Sequence, residues 1–347
     1  MAQEFTVAVV GVGAVGEEIL RVMHEHSFPA KSIRVLARTP RTISVDGRSY
    51  QVEATTAEAF DGVDIALFAG TEGEKGAAVT FGPEAVKRGA VIIDNGADFR
   101  MRPDVPLCVP EVNGAALDGH SGIIANPNCS TAQLVLTLKP LHDAFGLKRV
   151  MISTYQAVSG AGSAGIDELN AQNEQIAHGK TIGQAGPTFS AQIAANVIPH
   201  IGGFDDQGYT SEEMKLVHET RKILGDPSIR VTPMVTARVP VAIGHSEAVL
   251  VETERPVTPE AARALWREFP GLEVVDDLAN ASASKRYPMP LDCAGSDTTY
   301  VGRIRQDLDN PNGLAFWVVS DNLRKGAASN AVQIAEELIK RGLVNKR

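Results

Sequence analysis

The segment Ile124-Ala-Asn126-Pro-Asn128-Cys129-Ser-Thr-Ala-Gln-Leu-Val-Leu places a cysteine in the first turn of a predicted helix, with Asn128 as its N-cap. An ordinary thiol, with a pKa of about 8.5, is only about 3% thiolate at pH 7. A helix N-terminus stabilises the anion, so Cys129 is placed to act as a nucleophile. Free cysteines are more often buried hydrophobes, and that is the expectation for Cys108 and Cys293. Polar Asn128, Ser130 and Thr131 around Cys129 point the other way.

A second constellation is Gly11-Val12-Gly13-Ala14-Val15-Gly16, which follows the apolar strand Phe5 to Val10 and opens an amphipathic helix carrying Ile19, Leu20, Val22 and Met23. In that strand-turn-helix context the glycines are a dinucleotide fingerprint. Gly11 makes the tight turn, Gly13 admits the pyrophosphate, and Gly16 lets helix and strand approach. The helix N-terminus offers N–H groups to the phosphates. About twenty residues on, where an acidic side chain would bind the ribose 2′-hydroxyl of NAD, the chain reads Arg38-Thr39-Pro40-Arg41. A guanidinium and a hydroxyl can bind a 2′-phosphate that a carboxylate would repel, so the cofactor expected is NADP. No metal is expected: His24 and His26 are two apart on a helix and face different ways, and no Cys/His spacing resembles a zinc site.

The elements that must position these groups fall into two kinds. Strands at Ile33 to Ala37, Asp64 to Ala69 and Ala90 to Asp94, with a helical stretch from Glu84 to Arg88, continue a doubly wound parallel α/β sheet of the Rossmann type. After about residue 150 come long strands at Arg149 to Val158, Arg230 to Val239, His245 to Glu252, Thr299 to Ile304 and Leu314 to Ser320. Helices at Gly165 to His178, Ser211 to Leu224 and Pro259 to Glu268 interrupt them, which reads as an α+β domain with a mostly antiparallel sheet. The tail from Ala327 to Arg341 is amphipathic and able to return to the first domain. The expected domains are 1–128 with 325–347 for the cofactor, and 129–324 for catalysis and dimerisation.

With 33 Lys+Arg against 42 Asp+Glu in 347 residues the net charge is −9, which speaks against a nucleic-acid partner. No apolar run approaches the roughly 20 residues of a membrane helix, and Met1-Ala-Gln-Glu-Phe carries no basic leader region. Three cysteines in so long a chain suit a reducing compartment. The expected location is the cytoplasm.

Over nearly its whole length the sequence resembles the aspartate-semialdehyde dehydrogenases. Besides the fingerprint, the resemblance rests on Asn95-Gly-Ala-Asp-Phe-Arg100, Pro110-Glu-Val-Asn113, Asn126-Pro-Asn-Cys129-Ser-Thr131, Thr154-Tyr-Gln156-Ala-Val-Ser-Gly160-Ala-Gly162, Glu212-Glu-Met-Lys215, Arg238-Val-Pro-Val-Ala-Ile-Gly-His245-Ser-Glu247 and Asp321-Asn322-Leu-Arg-Lys-Gly326. It implies NADP-dependent reductive dephosphorylation of L-aspartyl 4-phosphate to L-aspartate 4-semialdehyde, through a thioester on Cys129. The product feeds lysine, threonine and methionine biosynthesis. It further implies a homodimer or a dimer of dimers.

Roles for individual residues follow from the same resemblance. His245 would take the thiol proton and stabilise or protonate the tetrahedral species. Gln156 would orient the carbonyl, and Asn128 would lie beside the substrate. Arg238 suits the α-carboxylate and Glu212 the α-ammonium, while Lys215 and Arg100 would reach the phosphate. Ser159, Gly160 and Asn322 would approach the nicotinamide, although Gly160 serves a tight turn equally well. An N-acetyl-γ-glutamyl-phosphate reductase shares this logic, but its acylated amine has no use for Glu212. A non-catalytic relative would lack the nucleophile, and the Ser-Cys-Thr-Thr-Asn motif of glyceraldehyde-phosphate-type dehydrogenases is absent.

Overall fold

The computed structural model describes residues 4–70, 73 and 75–344; the leader expectation at Met1–Gln3 and the last three residues of the expected first domain lie outside them. In chain order the elements are β1 (Phe5–Val10), α1 (Ala14–Glu25), β2 (Ala30–Ala37), β3 (Arg41–Val45), β4 (Arg48–Ala54), β5 (Ile65–Phe68), α2 (Ala77–Lys87), β6 (Val91–Asp94), α3 (Pro110–Asn113) and β7 (Ile123–Ala125). Then follow α4 (Cys129–Phe145), β8 (Leu147–Gln156), α5 (Ser163–Ala177), α6 (Ser211–Leu224), β9 (Arg230–Arg238), β10 (His245–Thr253) and α7 (Pro259–Glu268). The chain closes with β11 (Leu272–Val274), α8 (Ala283–Arg286), α9 (Pro290–Cys293), β12 (Thr299–Gln306), β13 (Gly313–Ser320) and α10 (Ser329–Lys340).

Two compact units result, one of residues 1–128 with 327–347 and one of residues 129–326. The first holds a seven-stranded sheet in the order β3-β4-β2-β1-β5-β6-β7. Every pairing in it is parallel except β3 with β4. Its central strands are apolar on both faces, as a sheet covered on both sides requires. The expected tail helix is α10, whose Val332, Ala335 and Leu338 join Val7, Val9, Ile65 and Ile93 in one core. The β3–β4 hairpin turns at Asp46-Gly47, both residues with positive φ, in the manner of a two-residue Asp-Gly loop.

The second unit is a six-stranded sheet in the order β11-β12-β13-β10-β8-β9. It is mixed, since β8–β9 and β11–β12 are parallel and the three pairings between them antiparallel. Helix α4 is almost wholly buried and packs with α6 and α7 on β8, β10 and β13. Leu134, Leu138 and Leu141 meet Val150, Ile152, Val249 and Val251 there. Cys129 is the first residue of this helix, so its place follows from the packing of the helix on the sheet.

Candidate active site

The first unit contains a cradle shaped for a dinucleotide. Gly11 has φ +101°, and a Cβ on it would lie 2.9 Å from the Ala69 carbonyl. A Cβ on Gly16 would lie 1.9 Å from the Gly11 oxygen, whereas one on Gly13 would meet nothing within 4 Å. Two of the glycines are therefore dictated by close packing, and the third leaves open space where the N-terminus of α1 presents its N–H groups. Among the described residues no side chain caps that terminus. Val12 is buried, and Ala14 and Val15 are half-buried in the same turn. Gly11 follows β1, whose neighbours are β2 and β5, so the cradle lies at the switch point of the sheet.

Arg38 and Thr39 lie just past the end of β2, both exposed. Arg41 Nη1 donates to the Thr39 carbonyl at 3.3 Å. Arg100, also in this unit, is buried and donates to the carbonyls of Asn126 (2.9 Å) and Asn95 (2.7 Å). Asn128 is buried too.

The second unit gathers the remaining candidates. Cys129 is half-buried, with Ser130 and Thr131 fully buried behind it. From the last residue of β8, Gln156 Nε2 donates to Glu212 Oε1 at 3.1 Å, and more weakly to Thr154 Oγ1 at 3.4 Å. Glu212 Oε2 pairs with Lys215 Nζ at 3.3 Å.

Helix α6 is set for this by a capping box: Thr210 Oγ1 accepts from the Glu213 N–H, and Glu213 Oε2 accepts from the Thr210 N–H. The other Glu213 oxygen accepts from the Thr236 N–H of β9. The first turn of α6, with Glu212, is thereby tied to the strand that ends in Arg238.

Ala157, next after Gln156, clamps two side chains at once. Its N–H donates to His245 Nδ1 at 3.1 Å, and its carbonyl accepts from Arg238 Nη1 at 2.7 Å. Arg238 also lies over the Phe189 ring, 5.9 Å from its centroid. Burial lowers the pKa of the guanidinium, while the charges of Cys129 and Glu212 oppose that shift. His245 is completely buried, and its pKa is pushed down to about 3, by burial first and the Arg238 charge second, with Glu212 opposing. Among the described residues its Nε2 has no hydrogen-bond partner.

Gly160 owes its identity to these neighbours. A Cβ there would lie 2.5 Å from Arg238 Nη1 and 3.3 Å from both Cε1 and Nε2 of His245. Ser159 Oγ donates to Asn322 Oδ1 at 3.0 Å, and the same oxygen accepts from the Gly244 N–H at 2.9 Å. With Oδ1 engaged twice, the Asn322 amide is fixed in orientation, and so is the turn leading into His245.

The two units thus divide the expected residues. Gly11 to Gly16, Arg38, Thr39, Arg100 and Asn128 belong to the first, and Cys129, Gln156, Ser159, Gly160, Glu212, Lys215, Arg238, His245 and Asn322 to the second. Cys108 and Cys293 are buried, and burial pushes the Cys293 thiol up to about 12, which leaves it protonated. Among the described residues no His, Cys, Asp and Glu cluster could hold a metal ion, and no helix is long and apolar enough to cross a membrane.

Three residues escaped sequence reasoning. Ala157 acts through its backbone alone, and nothing in its side chain could have signalled that. Gly326 touches Cys129 from almost two hundred positions away in the chain. Glu247, fully buried on β10 two residues after His245, was detectable as a charged residue directly ahead of the apolar run Ala248 to Val251.

Comparison with known proteins gives concordant results for both units. Residues 6–120 match the family model for the semialdehyde dehydrogenase NAD binding domain, and residues 138–325 that for the semialdehyde dehydrogenase dimerisation domain. The chain is 46% identical to the aspartate-semialdehyde dehydrogenase of Aquifex aeolicus, over 98% of this chain and 99% of that one. It is 45% identical to the Bacillus subtilis enzyme of the same name, over 99% and 100% respectively. Among solved structures, aspartate semialdehyde dehydrogenase II of Vibrio cholerae complexed with ASA superposes with a TM-score of 0.90 at 44% identity, covering 98% of this chain and 99% of that one.

Proposed function

The chain belongs to the aspartate-semialdehyde dehydrogenases, and we propose on that footing that it reduces L-aspartyl 4-phosphate to L-aspartate 4-semialdehyde with NADPH, releasing phosphate. In this reading residues 1–128 with 325–347 bind the cofactor, and residues 129–324 carry catalysis and the dimer contact. The Cys129 thiolate attacks the acyl carbon, the carbon–oxygen bond to phosphate breaks, and the acyl group remains on sulfur as a thioester. NADPH, when bound, supplies the hydride that turns this thioester into the aldehyde.

The residues divide the remaining work by charge and reach. Gly11 to Gly16 hold the pyrophosphate, and Arg38 with Thr39 hold the 2′-phosphate, a reading supported by the exposed Arg38 just past the end of β2 and by the run Arg38-Thr39-Pro40-Arg41, which has no acidic residue. Asn322, with Ser159 and Gly160, faces the nicotinamide carboxamide. Arg238 takes the α-carboxylate with the nitrogens not engaged by Ala157, and Glu212 takes the α-ammonium. Lys215 and Arg100 serve the phosphate, Gln156 the carbonyl, and Asn128 borders the substrate. His245 faces the reacting oxygen. The protein works in the cytoplasm as a homodimer or a dimer of dimers, supplying lysine, threonine and methionine synthesis.

The observation that carries this reading is the convergence of Gln156, Glu212, Arg238 and His245 in the unit that begins with Cys129. The buried Glu212 carboxylate, which accepts from Gln156 and pairs with Lys215, supports the reading over the acetylated-substrate reductase, because a free α-ammonium can pair with it and an acylated amine cannot. The test is phosphate-dependent NADPH formation with L-aspartate 4-semialdehyde, run in parallel with N-acetylglutamate 5-semialdehyde. Turnover of the first alone supports the reading, turnover of the second alone transfers the chain to the reductase, and turnover of neither leaves it non-catalytic.

A further inference from the structure

We propose that Phe189 is a positioning residue for the carboxylate end of the substrate: its ring face fixes the buried guanidinium of Arg238, so that the nitrogens not engaged by Ala157 stay aimed at the α-carboxylate. This rests on the reading above in which Arg238 takes that group, and it adds what aims the arginine.

Arg238 is held by little for a buried cation. Among the described residues its side chain makes one hydrogen bond, from Nη1 to the Ala157 carbonyl at 2.7 Å, and no ion pair. A guanidinium offers five donors in a planar fork, and a bond at one nitrogen does not set the plane of that fork. Arg238 lines a cavity of about 210 Å³ together with Phe189, Ile198, His200 and Ile201. Over the Phe189 ring the guanidinium carbon lies 5.9 Å from the centroid, inside the roughly 6 Å within which a ring face attracts a cation. A protein carboxylate would compensate the charge more strongly, but it would occupy the donors that a ligand carboxylate needs. An aromatic face attracts the cation and offers no competing acceptor, at a place where burial disfavours the charge.

Phe189 itself lies between α5 and α6 in a stretch without helix or strand, so its place must be fixed from elsewhere. Helix α5 does this. Glu168 Oε2 accepts from the Thr188 N–H at 2.7 Å, and Gln172 Oε1 accepts from the N–H groups of Ile193 and Ala194 at 2.9 and 3.0 Å. Gln172 Nε2 donates to Glu168 Oε1 at 3.0 Å, which ties the two acceptors together. The Phe189 ring packs with Val158, Leu169, Ile193 and Ile198, and against Gly165, where a Cβ would come within 3.1 Å of Phe189 Cζ. Ile198 in turn exchanges both backbone hydrogen bonds with Arg238, at 3.0 and 2.8 Å. Glu168 and Gln172, buried polar groups with no part in the chemistry, thereby fix the ring that fixes the arginine.

The consequence is specific to one end of the substrate. Without the ring face, each bound carboxylate would have to order the fork itself, and that cost falls equally on the bound substrate and on the transition state. Such a loss raises KM and leaves kcat in place. The phosphate, assigned to Lys215 and Arg100, would not feel it.

The test replaces Phe189 in the full-length protein by mono-, di- and trifluorinated phenylalanine, which keeps the shape of the ring and drains its face of electron density step by step. In the phosphate-dependent assay, KM for L-aspartate 4-semialdehyde should rise at each step, while kcat, KM for phosphate and Tm stay at the parent values. Phe189→Leu should raise the same KM by about 5- to 30-fold; if that variant fails to fold, the fluorinated series alone decides. A KM that stays flat across the series, or a loss confined to kcat, would overturn the proposal. Arg238→Lys separates the parent reading: an unchanged KM there would withdraw the carboxylate assignment, and the role of Phe189 with it. Wild-type protein inactive on both semialdehydes would mark failure of the aldehyde-forming reading itself, and the proposal would fall with it.

Discussion

Gly326 packs so closely on Cys129 that a Cβ at position 326 would lie 2.8 Å from the Cβ of the cysteine and 3.1 Å from its Cα. The first residue of α4 is therefore held from behind by a backbone that tolerates no side chain. Gly326→Ala should push the sulfur out of line. Overpacking of this kind costs about 1–3 kcal/mol of stability, and a displacement of about 1 Å at a reacting atom can cost about 10²-fold in rate. A variant with a modestly lowered Tm, an unchanged cofactor Kd and a much lower kcat is expected; a full kcat would show that Cys129 needs no such support.

The Gln156–Glu212 hydrogen bond lets Glu212 aim the amide, a task beside the ammonium binding proposed for it. Glu212→Gln keeps the shape and removes the charge. A hydrogen bond to a charged group is worth roughly 1.5–3 kcal/mol, so kcat/KM for L-aspartate 4-semialdehyde should fall by about 10- to 150-fold. Most of that should come from KM. Steady-state kinetics decide the matter, and a fall confined to kcat would place Glu212 with the reacting bond instead of the amino group.

At the cofactor cradle, Arg38→Asp replaces a cation with the acidic residue that a 2′-hydroxyl prefers. NADPH should weaken by at least about tenfold, while NADH is unaffected or improves. Fluorescence titration of both nucleotides gives the comparison. Equal weakening would assign the 2′-phosphate to other residues.

Glu247 makes a prediction about stability that is separate from turnover. Its carboxyl is fully buried, and burial raises its pKa well above 4.5, an effect that Gln133 opposes without forming a well-made hydrogen bond. The folded protein thus retains a proton that the unfolded chain releases above about pH 4.5. The resulting stability is fully present below that pH and is lost as pH rises toward the folded-state value. Each unit of difference is worth about 1.4 kcal/mol. Glu247→Gln should therefore raise Tm at pH 8 and lose that advantage near pH 4. Thermal melts across this range provide the check, and a gain independent of pH would mean that Glu247 is not protonated in the fold.

What could be read in the sequence was what repeats along the chain. β1, the fingerprint, α6 and α7 have the extents that apolar period and capping residues indicate. The β3–β4 hairpin went unread because its strands are largely exposed and polar, although Asp46-Gly47 marked the turn. The returning tail was legible as an amphipathic helix, but the π-helical turn Arg324–Ala328 ahead of it was not. At the site, residue types such as Cys129, Arg238 and His245 stood out. The hydrogen bonds that hold Arg238 and His245 come from the backbone of Ala157, and one that fixes Asn322 comes from the Gly244 N–H; residue type carries no trace of such backbone tasks.

The central claim, that the acyl group is carried on Cys129, is tested most directly by Cys129→Ser in the phosphate-dependent oxidation of L-aspartate 4-semialdehyde, with NADPH binding measured on the same preparation. The expected result is loss of turnover with NADPH affinity and Tm close to those of the parent protein. Turnover persisting near the parent rate would contradict it, because a serine hydroxyl at the same place is far too weakly ionised to replace the thiolate.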